Sequence, residues 1–297
     1  MNFRELIRVI IHRLQTVLRL IIGMNRLVTA GLHCVSALFI LKFYYPYASD
    51  QQRNRVSQRW ARTLLGRLGI QVIVKGHVVD TALSNTLLVA NHISWLDIFA
   101  LSSQTPSRFV AKKEIRHWPL IGGLIHTAGT LFIDRSNRRD IQRINTMLAT
   151  ALATGQCMTI FPEATTTAGS TVLPFKASLF ESAILAESCV LPITIRYLDA
   201  NYTSTIAPAY IEETTLWQSI CRILTLRTLY VELNFGYPLQ AGLPPYTTRF
   251  ALSSAAYQQI EKMLNVLPDR PDTVTTMSGD PLNEAPSDCP PTNNLYQ

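Results

Sequence analysis

The sequence predicts an α/β fold, a mostly parallel central sheet flanked by helices, with an N-terminal membrane-associated helical hairpin. Three observations carry that expectation. Beyond the polar stretch 49–59, short β-branched runs alternate with helical segments, the pattern of parallel strands joined by crossover helices. The first 48 residues combine a cationic amphipathic segment with an uncharged apolar run. Hydrophobic residues make up 47% of the 297-residue chain and charged residues 16%, against about 25% charged in an average soluble protein, and the mean hydropathy is +0.14.

Residues 4–22, set at a helical ~100° per residue, place Arg4, Arg8, His12, Gln15 and Arg19 on one face and Ile7, Ile10, Leu14, Val17, Leu18 and Ile21 on the other. Such a helix lies in a membrane interface, and Arg13, on the apolar side, has a stem long enough to snorkel to the headgroups. The uncharged run 27–41 follows, and as a helix it reaches ~22 Å against a hydrocarbon core of about 30 Å. That shortfall favours a hairpin dipping into one leaflet over a single transmembrane helix. The formal charge of +7 and pI near 9.3 suit an anionic partner. Because the arginines sit beside aliphatic residues, without an aromatic platform or an RNA-binding motif, the expected partner is membrane lipid and no nucleic acid. The expected location is the cytoplasmic face of the inner membrane.

Candidate strands are 71–74, 86–90, 108–111, 131–134, 158–161, 191–197 and 229–235, and an amphipathic helix is expected over 248–264. The chain is thus divided into membrane-associating helices (1–48), an α/β domain (49–266) and a tail (267–297) whose Pro, Asp, Ser, Thr and Asn content predicts disorder. Five cysteines (34, 157, 189, 221 and 289) are widely spread and odd in number, so they read as free thiols in a reducing compartment. Six histidines lack ligand spacing, so no metal and no resident cofactor is expected.

The chemistry concentrates in Asn91-His92-Ile93-Ser94-Trp95-Leu96-Asp97, directly after an apolar strand, where ligand sites of open α/β sheets lie. Residues five apart on a helix point about 140° away from each other, so His92 and Asp97 meet only at a strand-turn-helix corner. There a neutral imidazole takes a proton from a hydroxyl while the carboxylate fixes its tautomer. Ser94 to Asp97 also spells a capping box, the purely structural alternative.

Three more blocks follow in order. They are Phe109-Val110-Ala111-Lys112-Lys113-Glu114 leading to Trp118-Pro119-Leu120-Ile121-Gly122, then Gly129-Thr130-Leu131-Phe132-Ile133-Asp134-Arg135, then Phe161-Pro162-Glu163 with Leu173-Pro174-Phe175-Lys176. With His92 and Asp97, these resemble the glycerolipid acyltransferase family that includes 1-acylglycerol-3-phosphate acyltransferases, over roughly residues 60–235. The resemblance implies His92 and Asp97 as the catalytic pair, Arg135 on the acceptor's phosphate, Glu163 holding the acceptor, and Val190-Leu191-Pro192-Ile193 near the acyl donor. It implies acyl-CoA or acyl carrier protein as donor substrate and a lysolipid as acceptor. Lys112, Lys176, Thr165 and Thr166 join the candidate substrate-binding set.

The chain departs from the family at Ala164-Thr165-Thr166, where Gly, Thr and often Arg follow the glutamate. Alanine visits positive φ less readily than glycine, and threonine cannot replace a bidentate arginine. Threonine at this place resembles the branch that acylates lyso-ornithine lipid, which makes that acceptor the rival of lysophosphatidic acid. A serine hydrolase is the second class, but G-x-S-x-G is missing. A catalytically inactive lipid-binding protein is the third.

Overall fold

The computed structural model describes residues 3–76, 83–117, 125, 129–211 and 213–268. The block at 118–122 and, from residue 269 on, the tail expected to be disordered lie outside the described residues. Eight strands form one sheet: β1 (Ile70–Gly76), β2 (Thr86–Ala90), β3 (Arg108–Lys112), β4 (Leu131–Ile133), β5 (Cys157–Ile160), β6 (Cys189–Leu198), β7 (Leu229–Phe235) and β8 (Leu239–Gln240). The seven candidate strands all appear, and among the described residues the short β8 is the one strand not anticipated. The order is β1-β7-β6-β2-β5-β3-β4, with β8 also on β6. From β6 to β4 the strands run parallel, while β7 is antiparallel to β6 and carries β1 parallel to itself.

Alternation along each strand splits the core in two, because successive side chains point to opposite faces. Leu88, Ala90, Leu191, Ile193, Ile195, Tyr197 and Val231 fill one face, and Leu87, Val89, Met158, Ile160 and Val190 fill the other. The first face is covered by α1 (Phe3–Phe39), α2 (Asp50–Leu68), α3 (Leu96–Gln104) and α6 (Leu216–Leu224). The second is covered by α4 (Arg138–Ala153), α5 (Glu181–Leu185) and α7 (Arg249–Leu264). Local signals fix the ends of these helices. Ser49 with Gln52 and Thr215 with Gln218 form capping boxes, Asn137 caps α4, Thr248 caps α7, and Gly69 closes α2 at φ 75°.

The N-terminus differs from the expected hairpin. Helix α1 runs unbroken from the amphipathic segment into the apolar run, because neither proline nor a run of turn formers interrupts it. Gly23 stays helical and faces α6, where a Cβ would meet the Leu224 carbonyl oxygen at an ordinary contact distance of 3.4 Å. The chain reverses later, through a π-turn (Ile40–Tyr44) and a 3-10 turn (Tyr45–Tyr47), and the returning arm is α2. That arm packs its apolar face on the α/β core instead of entering a leaflet.

Helix α1 therefore has two halves. Residues 13–21 are exposed all round, while Leu27, Ala30 and Ala37 pack inward and His33 stacks on Trp60 with centroids 4.8 Å apart. Arg26 fastens the second half. Its guanidinium donates to the carbonyls of Leu224, Leu226 and Arg227, which cap the C-terminal end of α6. The 48/49 division thus falls inside a helical hairpin, with half of α1 built into the domain.

Removing residues 1–21 is expected to leave the melting temperature within a few degrees of the full chain. Removing 1–45 strips the buried Ala30 and Ala37, the half-buried Leu27 and His33 and the Arg26 cap of α6, and should lower it by about 5–10 °C in a thermal unfolding scan.

Candidate active site

Strand β2 ends at Ala90, and Asn91 then fixes where the chain leaves the sheet. Its buried amide donates to the Ile195 carbonyl at 3.0 Å and accepts from the Ile195 N–H at 2.7 Å, so a side chain extends the β2–β6 ladder by one step. His92 follows in a tight corner that leads into α3. The corner is clasped from both sides: Thr167 N–H donates to the His92 carbonyl at 2.8 Å, and Tyr210 N–H donates to the Ile93 carbonyl at 2.9 Å.

Asp97 lies in the first turn of α3 and is fully buried. Its Oδ2 meets His92 Nδ1 at 2.8 Å and accepts the N–H groups of Ile93 at 2.7 Å and Ser94 at 2.9 Å. Its Oδ1 accepts the Tyr197 hydroxyl at 2.7 Å. Asp97 therefore closes the corner as a cap would and orients the imidazole at the same time, so the structural and chemical readings of this aspartate are one arrangement. A carboxylate oxygen already taking two peptide N–H groups is an acceptor, which places hydrogen on Nδ1 and leaves Nε2 with the free lone pair. The His92 side chain is 21% exposed, and its ring stacks on Phe161 with centroids 4.0 Å apart.

Glu163 sits behind the histidine. Its Oε1 accepts the His92 N–H at 2.8 Å and its Oε2 accepts the Leu173 N–H at 2.8 Å. Burial pushes this carboxyl above the ordinary glutamate value, with the two N–H groups opposing. The glutamate is 4% exposed, so it braces the corner from below.

The remaining candidates divide. Arg135, past the end of β4, donates from Nη1 to the Ala164 carbonyl at 2.5 Å, which joins it to the Phe161-Pro162-Glu163 turn. Burial lowers its pKa, with Glu114 opposing. Neither neighbouring aspartate claims it, since Asp134 bonds Lys113 and Ser136 while Asp140 bonds Arg143. The three strands before His92, Glu163 and Arg135 are parallel, but β4 is separated from β5 by β3, so they share an edge without all being neighbours. Thr166 donates its hydroxyl to the Tyr210 carbonyl and Thr165 is exposed. Lys112, at the end of β3, is exposed and 3.9 Å from Glu114; Lys176 is exposed at the surface. Neither lysine enters the hydrogen-bonded cluster described above.

Two points follow from the geometry. Backbone N–H groups of the corner are spent on internal partners: those of residues 92, 93 and 94 on carboxylates, and that of Leu96 on the Ser94 hydroxyl. Tyr197 was missed, because its place beside Asp97 depends on a partner 100 residues away in the chain. Among the described residues no group of side chains suits a metal ion.

A His–Asp dyad with a free imidazole nitrogen, carried at the carboxyl edge of a mostly parallel sheet, defines an α/β protein equipped to take a proton from a hydroxyl. The comparisons narrow that class. A family model described as Acyltransferase matches residues 71–196. The 1-acyl-sn-glycerol-3-phosphate acyltransferase of Neisseria meningitidis is 42% identical over 188 residues, 62% of this chain and 72% of that protein. The lyso-ornithine lipid O-acyltransferase of Pseudomonas aeruginosa is 38% identical over 172 residues, 58% of this chain and 65% of that one. The crystal structure of a 1-acyl-sn-glycerophosphate acyltransferase from Thermotoga maritima has the same fold, with a TM-score of 0.63 at 19% identity, covering 84% of this chain and 96% of that one. The chain belongs to the Acyltransferase family and is an acyltransferase, as the ordered sequence blocks implied.

Ala164 occupies φ 65°, the left-handed region that the family's usual glycine enters freely. Left-handed backbone costs a non-glycine residue about 1–2 kcal/mol. Ala164→Gly is therefore expected to stabilise the fold by about 0.5–1 kcal/mol once the added freedom of the unfolded chain is deducted. Denaturant unfolding measures this, and a loss of stability would show that the turn is not strained.

Proposed function

We propose that the protein transfers a fatty acyl group from an acyl thioester, acyl-CoA or acyl carrier protein, to the free hydroxyl of a membrane lysolipid. The observation that carries this reading is the 2.8 Å contact between His92 Nδ1 and Asp97, which leaves Nε2 at the half-exposed sheet edge as a base. In the proposed step Nε2 removes the acceptor's hydroxyl proton while its oxygen attacks the thioester carbonyl carbon. The tetrahedral oxyanion then collapses, the C–S bond breaks, and the departing thiolate receives the proton from the imidazolium. Asp97 stabilises the imidazolium throughout. No acyl-enzyme and no metal or resident cofactor enters the proposal.

A membrane-bound acceptor agrees with the helical span Arg13–Tyr47, made of most of α1 and the two turns after it, which is long and apolar enough to cross a bilayer. We place the site at the cytoplasmic face, where thioester donors are made. Lysophosphatidic acid is the first-choice acceptor, with Arg135 contributing to phosphate recognition. Lyso-ornithine lipid is the second, favoured by Thr166, whose hydroxyl turns to the Tyr210 carbonyl in the place where many relatives offer a guanidinium.

An esterification assay on purified protein in mixed micelles tests the proposal. His92→Ala should abolish transfer while the protein stays folded, and Asp97→Asn should be severely impaired because the tautomer is no longer fixed. Full activity of His92→Ala would remove the assigned base.

Arg135→Ala should raise the acceptor's KM about tenfold to a hundredfold with little change for the donor, the weight of a charge-assisted hydrogen bond of roughly 1.5–3 kcal/mol. Thr166→Arg should improve use of lysophosphatidic acid and not of lyso-ornithine lipid. Equal responses of the two acceptors to both substitutions would defeat this account of selectivity.

A further inference from the structure

We infer that Tyr197 is a positioning residue for the transfer step, holding the Asp97 carboxylate in register with His92, so that three side chains from a strand, a turn and a helix work as one line of hydrogen bonds. The inference deepens the dyad reading proposed above and rests on it. Tyr197 lies near the end of β6, two residues beyond Ile195, which Asn91 clasps. Residues two apart on a strand share a face, so the Asn91 clasp that fixes the corner's exit also sets the height of the Tyr197 ring. The ring is 2% exposed and packs within the first core. Its hydroxyl donates to Asp97 Oδ1 at 2.7 Å, and the Ser94 side chain is a further hydrogen-bond partner.

Both carboxylate oxygens lie off the Cβ–Cγ axis, so donors on each resist rotation of the group from opposite sides. Oδ2 is held by three groups of its own corner, while Oδ1 is held by Tyr197 from across the sheet. The phenol thus fixes the carboxylate plane relative to the imidazole and draws part of the charge onto Oδ1. The titratable groups facing Asp97 are His92 and Tyr197, and the Glu163 carboxylate stands one peptide away on the His92 N–H. Burial and the nearby Asp97 keep the phenol protonated at any working pH, so it remains a donor.

The test is Tyr197→Phe, which keeps the ring and removes the donor. The expected result is a kcat reduced about tenfold or more, the weight of one buried hydrogen bond, with both KM values within about twofold of the parent. The sign of the pH effect follows from the charge: with Oδ1 bare, Asp97 pulls harder on the imidazolium, so the acid limb of the kcat/KM profile should move up by about half a unit to one unit. Replacing Tyr197 with 3-fluorotyrosine, a stronger donor of nearly the same size, should move that limb down. A purely structural tyrosine would lower the melting temperature and leave the limb in place. Unchanged kcat and pH limb in Tyr197→Phe overturns the inference; if that variant fails to fold, an unmoved limb in the fluorotyrosine protein overturns it instead. His92→Ala is assayed alongside. Activity retained there overturns the dyad and this inference together, whereas loss there with a parental Tyr197→Phe overturns this inference alone.

Discussion

A fully buried carboxylate organises this protein. Asp97 has no solvent to satisfy its charge, and an isolated ion in such a place would cost many kcal/mol. Four donors meet it instead, from His92, Ile93, Ser94 and Tyr197. Each constrains a different part of the fold. The two peptide N–H groups require the corner between β2 and α3 to be tight, the phenol requires β6 to lie beside β2, and the imidazole has one orientation left. A buried charge of this kind is weak evidence for stability, but it strongly specifies where the surrounding elements sit.

The sheet is built to supply that geometry. β2 is central, with β6 on one side and β5 on the other, so the histidine, its tyrosine-backed aspartate and the glutamate after β5 converge from three adjacent strands. The reversal at β7 then frees the far end of the sheet for other work. There Arg196 on β6 pairs with Glu232 on β7 and donates to the carbonyls of Met263, Leu264 and Val266, capping α7 as Arg26 caps α6. Two arginines thus finish two helices that cover opposite faces of one sheet, and one of them ties the apolar N-terminal helix to the catalytic domain.

Strand positions were legible because their signal is local: β-branched runs and turn residues specify 86–90 and 229–235 without help from the rest of the chain. The dyad was legible for the same reason, since both partners lie within six residues of sequence. What sequence left hidden depends on contacts between distant segments. Tyr197 looks like an ordinary strand residue until β6 is laid beside β2. The N-terminal hairpin was expected because the apolar run was judged against a bilayer alone; part of its apolar surface faces α2 and α6, whose positions periodicity does not reveal.

The segment where the chain departs from its relatives is the one where local and distant constraints meet. Ala164 pays strain at φ 65° to keep the turn after Glu163, and its carbonyl then receives Arg135. Two residues on, Thr166 reaches the Tyr210 carbonyl, and the peptide of Tyr210 in turn donates to Ile93 in the catalytic corner. Thr167 returns to His92 itself. Thr166 thus stitches the loop after Glu163 to the 210 loop and, through it, to the His92 corner. Under the proposed function, selectivity and positioning are coupled at this residue: exchanging Thr166 for arginine adds a cation and cuts a strut in the same stroke, so its effect on headgroup choice is best read as a ratio between acceptors, in which any common loss of corner geometry cancels.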